Sequence, residues 1–379
     1  MSDTIADEVR RAVGAVVDPE LRRPLADLDM LREITVEDGK ANVGIALTIV
    51  GCPAANRIES DVRRAAAEVP GVSEVAVEVG VMTPEERRAL TERLREGRPA
   101  RQMPFGPDSL TRIIAVTSGK GGVGKSSVTA NLAVALAARG RRVGLIDADV
   151  HGFSIPALLG MGRDGAMPTP TRIDDLMLPP VAHDVKAISI GMFLRDGESV
   201  VAWRGPMLHR TIQQFLTDVF FGDLDVLLID MPPGTGDIAI SLGQLLPHAE
   251  VLVVTTPQEA AAEVAIRSGL VARQTGQRII GVVENMTALT LPDGTVLDLF
   301  GSGGGQTVAD ALSAGADPVP LLASVPLSQA LRTGGDEGAP VVLADPGDPA
   351  AQAIERLADA VETGGRRLAG RSLPFSPAR

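Results

Sequence analysis

Gly119-Lys-Gly-Gly-Val-Gly-Lys125-Ser126 satisfies the spacing G-x-x-x-x-G-K-[ST] in full. An apolar run, Ile113–Val116, precedes it, and a helical stretch, Ser127–Arg139, follows and is closed by Gly140. Strand, glycine-rich turn, then helix is the order that a phosphate-binding loop requires. Glycines let successive backbone N–H groups turn inward around phosphate oxygens, and the new helix adds the partial positive charge of its N-terminus. The cradle therefore comprises Gly119, Lys120, Gly121, Gly122, Val123, Gly124, Lys125, Ser126 and Ser127. Lys125 is placed to reach the β- and γ-phosphates, and the Ser126 hydroxyl to ligate Mg²⁺. The implied ligands are ATP and Mg²⁺.

Outward from the loop, short apolar runs alternate with helical stretches: Val143–Ile146, Val226–Ile229, Val251–Val254, Ile279–Val283 and Leu321–Val325. Continuous apolar strands separated by helices predict a parallel sheet buried on both faces. The fold class is thus α/β, a P-loop NTPase whose mostly parallel sheet is covered by helices on both faces, preceded by a small α+β domain. Asp230 ends the run Val226–Ile229, where a carboxylate can hold the Mg²⁺ water shell. Asp149 closes Val143-Gly-Leu-Ile-Asp147-Ala-Asp149 and can orient the attacking water, while Asp147 reads as structural or metal-side. Carboxylates at strand ends beside a phosphate loop lie where such sheets bind their ligands.

Residues 1–96 read as the small domain. A helix is expected over Ile5–Val17, strands over Met30–Val36 and Ala41–Val50 joined by a turn at Asp38-Gly39, a helix over Ala54–Val69, a strand over Val72–Val79 and a helix over Pro84–Leu94. Residues 97–108, rich in Gly, Pro and Arg, read as a linker, 109–365 as the ATPase domain, and 366–379 as a flexible tail. A net charge of −12 disfavours nucleic acid as a partner. No apolar run is long enough for a membrane span. A single cysteine and an acidic start without signal-peptide character point to the cytoplasm.

The second lysine, Lys120, directly after the first glycine, resembles the deviant loop of the ParA/MinD-like dimeric ATPases. Asp147-Ala-Asp-Val-His-Gly-Phe-Ser-Ile-Pro156, Trp203-Arg-Gly-Pro-Met207, Asp230-Met-Pro-Pro-Gly-Thr-Gly-Asp237, Thr255-Thr-Pro-Gln-Glu259, Glu284-Asn-Met286 and Phe300-Gly-Ser-Gly-Gly-Gly305 follow in order. Together they resemble the Mrp-type iron–sulfur cluster carriers. Asp18-Pro-Glu20 and Leu47-Thr-Ile-Val-Gly-Cys-Pro53 resemble the iron–sulfur assembly domain often fused upstream. The resemblance implies an ATP hydrolase that works as a homodimer and passes iron–sulfur clusters to apoprotein clients. It also implies catalytic roles for Lys120, acting on the partner's nucleotide, for Lys125 and for Asp149. Asn285 would contact the adenine edge, or equally cap the next turn. Pro232–Gly236 would be a switch segment sensing the γ-phosphate.

One departure stands against the pattern. The family places a Cys-x-x-Cys shortly after its Asn-Met pair, and here residues 285–300 contain no cysteine. Clusters are held mainly by thiolates, so Asp293 and Asp298 become candidate substitutes, with Asp293-Gly294 readable instead as a hairpin turn. Cys52 is the remaining possible iron–sulfur ligand. At a strand-to-helix junction it is either activated by a lowered pKa or buried and inert. His151, His183, His209 and His248 show no metal spacing. Arg204 reads as a surface ion-pair residue. Two functions remain open: a carrier of clusters, and a nucleotide-gated docking switch that carries none.

Overall fold

Val9 and Val13 lie one helical turn apart and are both fully buried, anchoring the first helix, α1 (Ser2–Gly14), on a small antiparallel–parallel sheet. The structure, a computed structural model, describes residues 2–49, 52, 54–95, 103–150, 152–162, 167–194, 205–291, 293–315 and 317–364. Trp203, Arg204, His151, residues 97–102 of the linker and the tail 366–379 lie outside these. Helix α1 stops short of the expected Val17. The Val16 carbonyl instead accepts from Leu25 N, and Asp18 Oδ1 accepts from the backbone N–H groups of Glu20 and Leu21 at 2.8 and 2.7 Å. Strands β1 (Leu31–Glu37) and β2 (Lys40–Leu47) form a hairpin whose turn residues Asp38 and Gly39 both have positive φ, 49° and 80°. Helix α2 (Ala55–Ala67) buries Ile58, Val62 and Ala66, and β3 (Glu74–Val81) pairs parallel to β2. Helix α3 (Pro84–Leu94) starts at a capping box between Thr83 and Glu86.

The rest of the described chain builds one eight-stranded sheet and two separate two-stranded hairpins. Its sequence runs β4 (Arg112–Ser118), α4 (Lys125–Ala138), β5 (Val143–Asp147), α5 (Ile155–Leu158), then a hairpin of β6 (Thr171–Ile173) and β7 (Leu176–Leu178). There follow β8 (Val181–Ala182), β9 (Val185–Ser189), α6 (Gly205–Thr217), β10 (Val226–Asp230), α7 (Asp237–Leu245), β11 (Glu250–Thr255) and α8 (Glu259–Gln274). The chain continues through β12 (Arg278–Thr287), the short strands β13 (Leu289–Thr290) and β14 (Val296–Leu297), α9 (Gly304–Ser313) and β15 (Leu321–Pro326). It closes with α10 (Gln329–Glu337), α11 (Val341–Ala344) and α12 (Pro349–Thr363).

The sheet order is β15-β12-β11-β4-β10-β5-β9-β8, parallel except for the short edge strand β8. The expected mostly parallel sheet is therefore what forms. Along β4, Ile113 and Ala115 join the core under α6–α9, whereas Ile114 and Val116 join the core under α4, α11 and α12. That period of two, with both faces covered, explains why the strands read as unbroken apolar runs. Register sets the chemistry: Asp230 of β10 lies level with Val116 of β4 on one side and Asp147 of β5 on the other.

Candidate active site

The loop between β4 and α4 adopts the shape its glycines permit. Gly122 and Gly124 have φ of 79° and 78°, a left-handed geometry that is strained for residues bearing a side chain. A Cβ on Gly121 or Gly122 would meet nothing closer than 3.9 Å, so the inner curve is open, as phosphate oxygens require. The other two glycines serve packing. A Cβ on Gly119 would lie 2.3 Å from the Ala265 backbone nitrogen on α8, and one on Gly124 would lie 2.2 Å from Asn285 Nδ2. The loop rims a cavity of about 400 Å³ whose wall also includes Ser127, Asp149, Gly152, Ser154 and Pro233.

Lys125, Ser126, Asp149 and Asp230 converge, as their placement in the sequence predicts. Lys125 Nζ lies 2.8 Å from Asp230 Oδ2 and 3.8 Å from Asp149 Oδ2. Ser126 Oγ donates to Asp230 Oδ2 at 2.6 Å. Thr129, one helical turn beyond Lys125, donates to Asp230 Oδ1 at 3.0 Å. Its role was not read from the sequence, although position i+4 on the same helix face was the available signal. Asp147 is structural here. Its carboxylate accepts from Asp149 N, Ile155 N and Ser189 Oγ at 3.2, 3.3 and 3.0 Å, fixing the turn that presents Asp149. Asp149 Oδ1 in turn accepts from Gly152 N at 3.1 Å.

Burial raises the pKa of both Asp230 and Asp147. For Asp147 the nearby Asp230 charge adds to burial, against the Ser189 and Asp149 hydrogen bonds. For Asp230, Lys125 and the Ser126 and Thr129 hydroxyls act against burial. The donor set of one hydroxyl and neighbouring carboxylates is all oxygen, the chemistry that Mg²⁺ selects. A divalent cation would favour the ionised carboxylates that burial alone disfavours.

Lys120 and Asn285 make contacts that the sequence does not reveal. Lys120 Nζ donates to Gln258 Oε1 of its own chain at 2.9 Å, just before α8. Asn285 lies inside β12, which runs on to Thr287 rather than ending at Val283, and its Nδ2 donates to Val123 O at 2.9 Å. It ties the loop to a strand two places away in the sheet. At Asp293 the hairpin reading holds: Gly294 has φ 84°, Asp293 Oδ1 accepts from Thr295 N, and β13 pairs with β14. Among the described residues no group of three or more His, Cys, Asp or Glu side chains is placed to hold a metal.

Cys52 is not activated by its position at a helix start. It is 6% exposed, with Sγ 3.5 Å from Glu20 Oε2. Burial first, then the neighbouring Glu20 charge, push the thiol up to about 12. No described helix is long and apolar enough to cross a membrane.

Residues 109–362 match the family described as NUBPL iron-transfer P-loop NTPase, and residues 6–79 match the iron–sulfur cluster assembly protein family. The chain is 54% identical over 375 residues to an iron–sulfur cluster carrier protein of Mycobacterium tuberculosis, covering 98% of this chain and 97% of that one. A Bacillus subtilis protein of the same description is 37% identical over 330 residues, covering 85% and 88%. Among solved structures, a nucleotide-binding protein of Archaeoglobus fulgidus in complex with ADP is 35% identical, with TM-score 0.50 over 60% of this chain and 86% of that one. The septum site-determining protein MinD of Pyrococcus horikoshii, complexed with Mg-ADP, is 29% identical, with TM-score 0.51 over 69% and 98%.

Proposed function

This chain belongs to the iron-transfer P-loop NTPase family, and on that premise we propose that it couples ATP hydrolysis at residues 119–126 to carrying iron–sulfur clusters to apoproteins, in the cytoplasm and as a homodimer. The observation that carries the catalytic half is the convergence of Lys125, Ser126 and Asp149 on the loop cavity, with the buried Asp230 bonded to Lys125 and Ser126 behind it. Lys125 places positive charge where charge shifts during phosphoryl transfer. Asp149, held by Gly152 N, faces the same space and orients the attacking water. Ser126 and Asp230 would hold Mg²⁺, which would supply charge neutralisation at the β- and γ-phosphates. Val123 O, tied to Asn285, fixes the loop against β12. In a dimer, Lys120 would leave Gln258 for the partner's nucleotide.

The cluster is cargo, and its ligands are few. A dimer of this chain has two cysteines, both Cys52, so four protein thiolates are impossible. External thiols, or oxygen and nitrogen ligands, must complete any cluster, which is therefore labile. A second reading, a nucleotide-gated docking switch without cargo, is favoured by one observation: Cys52 is buried and its thiolate disfavoured. Anaerobic reconstitution of the full-length protein and of Cys52→Ala separates the two. Iron, sulfide and visible absorbance are measured after desalting, with phosphate release alongside. The carrier reading expects a cluster on the wild type, its loss in Cys52→Ala, and hydrolysis retained in both. No cluster on either protein favours the switch.

A further inference from the structure

The β6–β7 hairpin has two faces with different allegiances. Met177 joins the core of the P-loop sheet, and its backbone exchanges hydrogen bonds with Asp218 and Phe220. Ile173, Leu176 and Leu178 point the other way and are buried in the N-terminal core together with Leu21, Leu25 and Cys52. Strand alternation makes the hairpin a connector between the two parts of the chain. Polar contacts ring this apolar patch. Thr171 Oγ1 donates to Glu20 Oε1 at 3.0 Å, the carboxylate whose other oxygen meets Cys52 Sγ. Arg22 donates to the Asp184 carbonyl, and Arg95 pairs with Asp175. Lys186 of β9, fully buried alongside, donates to Phe221 O at 3.0 Å, and its Nζ lies 5.5 Å from the Phe220 ring centroid.

The Asp18-Pro-Glu20 segment and Cys52 lie far apart in sequence, and the fold brings them together where the P-loop part supplies the covering group. Glu20 is 6% exposed although it is a carboxylate, and its second partner, Thr171, comes from the hairpin. Ile173, Leu176 and Leu178, with the partly buried Phe220 and a few polar contacts, form this interface, and contacts between parts of one chain commonly open. We propose that docking of the N-terminal domain against the β6–β7 hairpin is an autoinhibitory closure: it seals the Cys52–Glu20 pair, and the thiol meets metal or cluster only when the two domains separate. Its functional meaning rests on the reading of Cys52 as a cluster ligand, whereas the sealing itself does not and is tested without iron.

Cys52 is the single cysteine of the chain, so reaction with a disulfide reagent such as DTNB reports one site in the full-length protein. The wild type is expected to react at least about tenfold more slowly than the urea-unfolded chain, because reaction waits for opening. Leu176→Asp and Ile173→Asp each place a carboxylate in the apolar contact and should raise the rate about tenfold or more, while Leu176→Met should leave it slow. Circular dichroism and phosphate release verify that the aspartate variants are folded. A wild type that reacts as fast as the unfolded chain overturns the proposal. So do folded aspartate variants that remain slow, since the thiol is then buried within the N-terminal domain itself. If the aspartates unfold that domain, the Arg95–Asp175 pair decides. Arg95→Glu alone should accelerate labelling roughly twofold to fivefold, and Arg95→Glu with Asp175→Arg should restore the slow rate. A charge exchange that leaves the rate unmoved refutes the closure.

Discussion

Replacing Lys125 by alanine should damage both catalysis and the fold, with a pH signature that separates the two effects. Asp230 is fully buried and accepts from Lys125 Nζ at 2.8 Å, Ser126 Oγ at 2.6 Å and Thr129 Oγ1 at 3.0 Å. Without the ammonium, two neutral hydroxyls face a buried carboxylate. Breaking a buried pair by removing one partner costs about 3–5 kcal/mol. Protonating the carboxylate limits that cost, at about 1.4 kcal/mol for each pH unit above its unfolded value. The folded pKa of Asp230 is already raised by burial. Its contribution to stability is therefore fully present below the unfolded value near 4 and is lost as pH rises through the folded value. Loss of Lys125 raises that folded value further, so the gap between variant and wild type opens on the alkaline side. The expected destabilisation is about 1 kcal/mol at pH 5 and about 3 kcal/mol at pH 8. Urea unfolding at both pH values, in EDTA and without nucleotide, measures it. Lys125→Met with Asp230→Asn should recover part of the alkaline loss, because the Asp230 charge is removed together with its partner, while Asp149 still loses Lys125. Phosphate release by Lys125→Ala at pH 7, where enough protein stays folded, should fall by about two orders of magnitude. Equal destabilisation at pH 5 and pH 8 would refute the electrostatic coupling, and near-normal hydrolysis by the folded variant would remove Lys125 from the chemistry.

Two further outcomes follow from the loop. Gly119→Ala drives a methyl into the α8 backbone at Ala265 and Val264, so it should lower stability by about 1–3 kcal/mol. Urea unfolding checks this, and unchanged stability would mean that α8 shifts freely. For Lys120, Lys120→Ala and Asp149→Ala subunits are each expected to be inactive as homodimers. Mixed one to one, they should regain about a quarter of wild-type phosphate release, since half the dimers are mixed and each holds one intact site. No regain, with mixed dimers confirmed by mass, would assign Lys120 to its own chain and to Gln258.

By itself the sequence determined the phosphate loop, the parallel sheet and the order of the strands' chemistry. Those signals are local: glycine spacing, a lysine and serine at fixed offsets, apolar runs of strand length, and carboxylates at run ends. The hairpin at Asp38-Gly39 and the turn at Asp293-Gly294 were legible for the same reason, because positive φ is a property of one or two residues. What each residue touches was decided only by tertiary structure. Gly119 and Gly124 read as phosphate glycines, yet each is also required by the approach of a distant element, α8 in one case and Asn285 in the other. Thr129 and Ser189 carry no motif, and the Thr255–Glu259 motif does not tell what Gln258 holds, because their partners Asp230, Asp147 and Lys120 are brought to them by sheet order and helix placement. Cys52 shows the difference most plainly. A cysteine before a helix can be activated or inert, and the choice depends on burial and on a carboxylate 32 residues away, neither of which local sequence encodes.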